Sequence, residues 1–85
     1  MSSGEFETIS RIVGEELSRL KPGDKVRTIE FVNKVMEEYG RGVKLSEDDE
    51  ARLRPMVVDV LWELQRRGVV KFSDDLLVFE RVQGG

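Results

Sequence analysis

Leu61-Trp62-Glu63-Leu64-Gln65-Arg66-Arg67-Gly68-Val69-Val70-Lys71-Phe72 is the stretch on which the reading of this chain turns. Its first half carries apolar residues at helical spacing and ends on two arginines and a glycine. Its second half is β-branched and aromatic. A helix therefore gives way to a strand at Gly68. Arg66 and Arg67 suit the negative end of a helix, and glycine is a usual terminator.

Upstream of this junction, Ser46 precedes Glu47-Asp48-Asp49-Glu50. A capping residue followed by four acids marks a helix start, because carboxylates favour the positive end of the helix dipole. Leu53, Val57, Val60, Leu61 and Leu64 continue it as one stripe, flanked by Val58 and Trp62. Pro55 lacks an amide hydrogen, so it is expected to kink the helix near Arg54 or to split it at about Pro55. Downstream, Val69 to Phe72 and Leu76 to Val82 read as two strands of a hairpin, joined by Ser73-Asp74-Asp75. Gln83-Gly84-Gly85 reads as a frayed end.

Two more helices precede this unit. Phe6, Ile9, Ile12, Val13, Leu17 and Leu20 form a stripe over Glu5 to Leu20, with Ser2 and Ser3 as candidate caps. Gly14 within it costs about 1 kcal/mol relative to Ala, which the close approach of another backbone would explain. Pro22-Gly23-Asp24 is a turn, and Lys25-Val26-Arg27 is short and extended. Thr28 reads as the cap of a helix over Ile29 to Tyr39. Its apolar positions are Ile29, Val32, Val35, Met36 and Tyr39, with Phe31 alongside. Gly40 and Gly42 suit a left-handed stop.

Composition bounds the function. The 85 residues fit one domain, residues 1–85, with a folded core over 5–82 and loose ends at 1–4 and 83–85. Hydrophobic residues at 39% support one small core rather than a deep substrate cleft. The absence of Cys excludes a disulfide scaffold and thiol chemistry. The absence of His removes the usual general base and the commonest metal ligand. A non-enzymatic protein is expected, with no catalytic residue, cofactor, metal or small-molecule substrate. The acidic run Glu47 to Glu50 lacks the alternating ligands and central glycine of a calcium loop, and Gly40-Arg41-Gly42 lacks the pattern of a phosphate loop. No apolar run is long enough to span a membrane and no secretory leader is visible, so a cytoplasmic, intracellular chain is expected.

The order helix, short strand, helix, helix, hairpin resembles the winged-helix domain over about residues 5–82. The residues that carry the likeness are Leu61 to Val70, with Phe72 and Leu77 to Phe79 as wing strands and Val26 as the small first strand. The resemblance implies an α+β winged helix: a three-helix core, a C-terminal β-hairpin wing and a strand before helix two. It also implies duplex DNA binding through the third helix, with the wing on the backbone. On that reading Arg41, Lys44, Arg52 and Arg54, near the turn and the start of helix three, are the phosphate contacts, with Lys25 and Arg27 beside helix two. Helix one would be the element used for self-association, so the chain would be a monomer or a homodimer.

The charges pull the other way. Of the 85 residues 36% are charged, yet the net charge is only −3. Glu7–Arg11, Glu15–Arg19, Glu30–Lys34, Asp48–Arg52, Glu50–Arg54 and Glu63–Arg67 are acid-to-base pairs four apart, which support a helix on a solvated face. Such dense pairing suits a heat-adapted protein. Lys21, Lys25, Arg27, Arg41, Lys44, Arg66, Lys71 and Arg81 lack such a partner. Glu47 to Glu50 at the start of helix three and Asp74-Asp75 at the wing tip would repel phosphate. The outer face of helix three, Arg52, Met56, Asp59, Glu63 and Arg66, alternates in sign like a protein contact surface. Trp62 there is either core packing against the wing or a partner anchor, since Trp is enriched at interface hot spots.

Two functions follow. The first is a small DNA-binding regulatory or accessory factor. The alternative is a protein-interaction module, a small subunit of a replication or transcription assembly, with Met56, Asp59, Trp62, Glu63 and Arg66 at its contact.

Overall fold

A computed structural model describes residues 3–41 and 44–82. The chain runs α1 (Ser3–Leu17), β1 (Lys25–Arg27), α2 (Thr28–Tyr39), α3 (Glu47–Arg66), β2 (Val70–Phe72) and β3 (Val78–Arg81). This is an α+β fold, three helices with a three-stranded antiparallel sheet in the order β1-β3-β2. The layout is consistent with a winged-helix arrangement.

The helix-to-strand junction behaves as its sequence requires. Gly68 takes a φ of 80°, which an L side chain resists. Its amide donates to Gln65 O at 3.0 Å and the Val69 amide donates to Leu64 O at 2.9 Å. This double bond set is a Schellman stop, and it satisfies carbonyls that the helix end leaves open. Gln65 then reaches forward, its Oε1 accepting from the Phe72 amide at 2.8 Å, which satisfies one donor on the free edge of β2.

Sheet register sets what faces the helices. Val26, Phe79 and Phe72 lie side by side across the three strands. Phe79 is fully buried, with its ring centroid 5.0 Å from Phe31, edge to face, and 5.6 Å from Phe72. Ile9, Val13, Val35, Leu53, Val57, Leu61 and Val70 complete the closed interior. Burying a side chain of this size contributes about 1.5–3 kcal/mol, so the hairpin is held by its inner face.

Several expectations need correction. Helix α1 spans Ser3–Leu17, so Ser3 and Gly4 are helical and the last turn stops short of Leu20. The amides of Arg19 and Leu20 instead make tighter bonds to Glu16 O and Leu17 O. A Cβ at Gly14 would meet nothing within 4 Å, so no backbone approaches there. Thr28 is the first residue of α2 rather than its cap; Arg27 holds that position and offers no side-chain bond. Gly40 ends α2 with a φ of −83°, not left-handed. The stop assigned to Gly42, the cap assigned to Ser2 and the frayed end at 83–85 lie outside the described residues. Helix α3 is unbroken at Pro55. Ala51 and Pro55 are both exposed, so water can reach the carbonyl that Pro55 leaves unbonded, while Leu53, Val57, Val60 and Leu61 anchor the helix on its other side. Strand β3 begins at Val78, two residues later than expected, because Leu76 turns to a φ of 65°. Phe6 and Ile29, read as members of apolar stripes, are 43% and 58% exposed.

Candidate functional site

Three of the six expected phosphate contacts, Arg41, Arg52 and Arg54, lie against carboxylates. Arg41 pairs with Glu38 at 2.8 Å. Arg52 grips Glu5 of α1 through two hydrogen bonds, at 2.7 and 3.3 Å, and sits 3.3 Å from Asp49. The Glu5 bonds and charge push the Arg52 pKa further up, so this guanidinium stays charged and held. Arg54 lies 3.6 Å from Glu50 and donates to Asn33 Oδ1. Among the six expected four-apart pairs, only Glu50–Arg54 and Glu63–Arg67 form among the described residues. Arg11 turns forward to Glu15, four residues on, and Arg19 back to Glu16, three residues before it, because a helix brings neighbours on both sides at both spacings into reach.

Arg41, Arg66 and Arg81 are not the free cations that the spacing suggested. Arg66 pairs with Glu63 at 3.1 Å. Arg81 donates to Leu17 O and Leu20 O at 2.7 and 2.6 Å, satisfying carbonyls at the end of α1. None of the ion pairs among the described residues involves Lys25, Arg27, Lys44 or Lys71. Lys25 and Lys71 flank Glu80 across the sheet, and Arg27 stands opposite Val78. The solvent face of the sheet is therefore mildly basic.

At the start of α3 the capping box is complete. Ser46 Oγ accepts from the Asp49 amide and Asp49 Oδ2 accepts from the Ser46 amide, each at 3.1 Å. These two bonds, with Arg52 behind them, hold the Asp49 carboxyl below its ordinary range. The acidic run is thus partly committed to the helix it opens.

The outer face of α3 is shallow. Asp59, Trp62, Gln65 and Arg66 line a depression of about 400 Å³. Trp62 is half-buried and its ring centroid lies 4.8 Å from that of Phe72, so it packs on the hairpin. Met56 is also half-buried, Asp59 is exposed, and Glu63 is shared between Arg66 and Arg67.

A larger feature lies where α2, the middle of α3 and the hairpin tip meet. A groove of about 790 Å³ is walled by Thr28, Ile29 and Val32 on one side and by Arg54, Pro55 and Val58 on another. The tip supplies Asp75, Leu76 and Leu77, and the sheet supplies Arg27 and Val78. Five large apolar side chains are exposed among the described residues, and three of them, Ile29, Leu76 and Leu77, line this groove. Leu77 is 65% exposed.

The tip is built to hold them there. Thr28 donates its amide to Leu77 O and its hydroxyl to Leu76 O, both at 2.9 Å. Asp75 Oδ1 accepts from Ser73 Oγ at 2.6 Å and from the Leu77 amide at 3.0 Å, and these bonds lower its pKa. Leu76 at a φ of 65° is an outlier for a bulky residue, strained by roughly 1–3 kcal/mol. The groove's ionisable groups are Arg27, Arg54 and Asp75, and its hydroxyl is bonded to the backbone. Such a set can bind and orient; it contains no group placed to take up a proton near neutral pH.

Sequence reasoning missed this groove. Ile29 falls on the apolar stripe of α2, and Leu76 falls within the span whose composition reads as a strand. One signal was available: Leu76-Leu77 places two adjacent leucines at a strand start, and the period of a strand lets only one face the core. Among the described residues no helix is long and apolar enough to cross a membrane. No protein-family model, curated protein or solved structure matches the chain.

Proposed function

We propose that the chain is a non-enzymatic, winged-helix-like protein-interaction module that seats a segment of a partner protein in the groove between α2, α3 and the hairpin tip. The observation that carries this reading is the convergence of Ile29, Leu76 and Leu77, from separate parts of the chain, on one opening. Uncovered apolar side chains gathered in one place favour association, whereas scattered ones mean little. The expected DNA face supports it by contrast, since Arg41 and Arg52 already hold carboxylates at 2.8 and 2.7 Å.

A photo-crosslinker in place of Leu77, and separately in place of Asp48, tests this in lysate of the source cells. Crosslinks from position 77 to one identified protein, lost on Ile29→Asp, are expected. Adducts from position 48 alone, or adducts to nucleic acid, would overturn the reading.

A second reading, duplex binding, rests on Lys25, Arg27 and Lys71, which take part in no ion pair among the described residues and outnumber Glu80, the acid between the two lysines. It requires low-salt affinity for a labelled duplex that falls on Arg27→Glu.

A further inference from the structure

The occupant of the groove has a definable chemistry, an inference that rests on the docking reading above. We infer that the groove takes a short segment combining apolar side chains with a carboxylate, the apolar side chains on Ile29, Val58 and Leu77 and the carboxylate on Arg27.

Charge complementarity selects the carboxylate. Arg27 is exposed at the groove and takes part in no ion pair among the described residues. Arg54, on the opposite wall, is only partly neutralised by Glu50 at 3.6 Å. Against these stands one acid, Asp75, whose Oδ1 already accepts two bonds within its own loop. Arg27 and Arg54 against Asp75 leave the lining residues with one positive charge in excess, and a cationic segment would face two guanidiniums and one carboxylate. A carboxylate meeting Arg27 gains a charge-assisted hydrogen bond, which apolar neighbours partly shield from water. The apolar requirement follows from the lining. Val32, Pro55 and Val58 form the walls, and Leu76 and Leu77 stand at the rim. The Thr28 and Asp75 bonds hold that rim in place before any partner arrives, which lowers the ordering needed on binding.

The test is selection from a random-peptide phage library on the immobilised full chain. Enriched peptides are then synthesised and titrated against the parent, Leu77→Asp and Arg27→Glu by fluorescence anisotropy. Both positions are exposed, so circular dichroism is expected to show the parent fold. Ile29→Asp serves as a second groove variant if Leu77→Asp does not fold. The expected result is enrichment of apolar peptides bearing Asp or Glu, with affinity falling about tenfold or more on Leu77→Asp. Arg27→Glu is expected to weaken the same peptides by on the order of tenfold to a hundredfold. Peptides that need Leu77 yet lack acids and ignore Arg27→Glu, or that are basic, would overturn this inference and leave the groove as a docking site. No enrichment, or binding indifferent to both Leu77→Asp and Ile29→Asp, would overturn both.

Discussion

Helix α3 carries two unlike surfaces a short distance apart. Its opening turns, from Ser46 to Arg52, are crowded with charge, and part of that charge is answered from within: Ser46 and Asp49 cap each other, and Arg52 is held by Glu5 and Asp49. From Arg54 to Val58 the same helix walls a groove in which apolar side chains stand open to water. A high density of ionisable residues is thus no sign of a binding surface when the protein supplies the counter-charges itself. Uncovered apolar area has no such internal answer, because water cannot satisfy it.

The largest effect that separates the two surfaces is expected beneath the hairpin. Phe79→Ala removes the ring that seats β3 on α2 and should lower stability by about 3–5 kcal/mol in urea unfolding. Groove binding would be lost with it, while the capping box at α3 contains nothing that depends on Phe79. At the charged surface, Ser46→Ala removes the cap and is expected to cost about 1 kcal/mol by the same measurement. If it costs nothing, the first turn of α3 is held by its ion pairs rather than by the box.

The third prediction concerns acid. The folded-state pKa of Asp49 lies below the ordinary 3.8, so its contribution is fully present above that value and is lost as pH falls through the lower one. The stability gap between the parent and Asp49→Asn should be open at neutral pH and should close as the pH is taken below 3.8. A gap unchanged in acid would remove the carboxylate from the account. The smallest effect is expected at the groove rim. Leu76→Gly discards a whole side chain, yet it also frees a left-handed backbone, and the two should leave stability within about 1 kcal/mol of the parent. A loss as large as that of Phe79→Ala would mean that Leu76 belongs to the core.

Much of the architecture was legible because its signals are local. Gly68 after Arg66-Arg67 marked the end of α3, and Ser46 before the four acids Glu47 to Glu50 marked its start. Those residues act on backbone groups within one turn. Pro55 does not split α3, because the four buried residues Leu53, Val57, Val60 and Leu61 hold the helix together on its other side. At Thr28 a hydroxyl suited to capping its own helix instead serves the hairpin tip, 48 residues along the chain. The paired charges were misread at Arg11 and Arg19 because a helix offers two neighbours on each side and periodicity alone does not choose between them.

What the amino-acid order determined alone was the element sequence, the apolar stripe of α3 and the helix-to-strand break at Gly68. Propensity, capping and periodicity act over a few residues, so a linear reading captures them. Only tertiary structure decided that Ile29, Leu76 and Leu77 would stay uncovered together, that Arg52 would turn to Glu5 and that Arg81 would close the end of α1. Periodicity says which face of an element is apolar. How much neighbouring surface arrives to cover that face depends on contacts between distant parts of the chain.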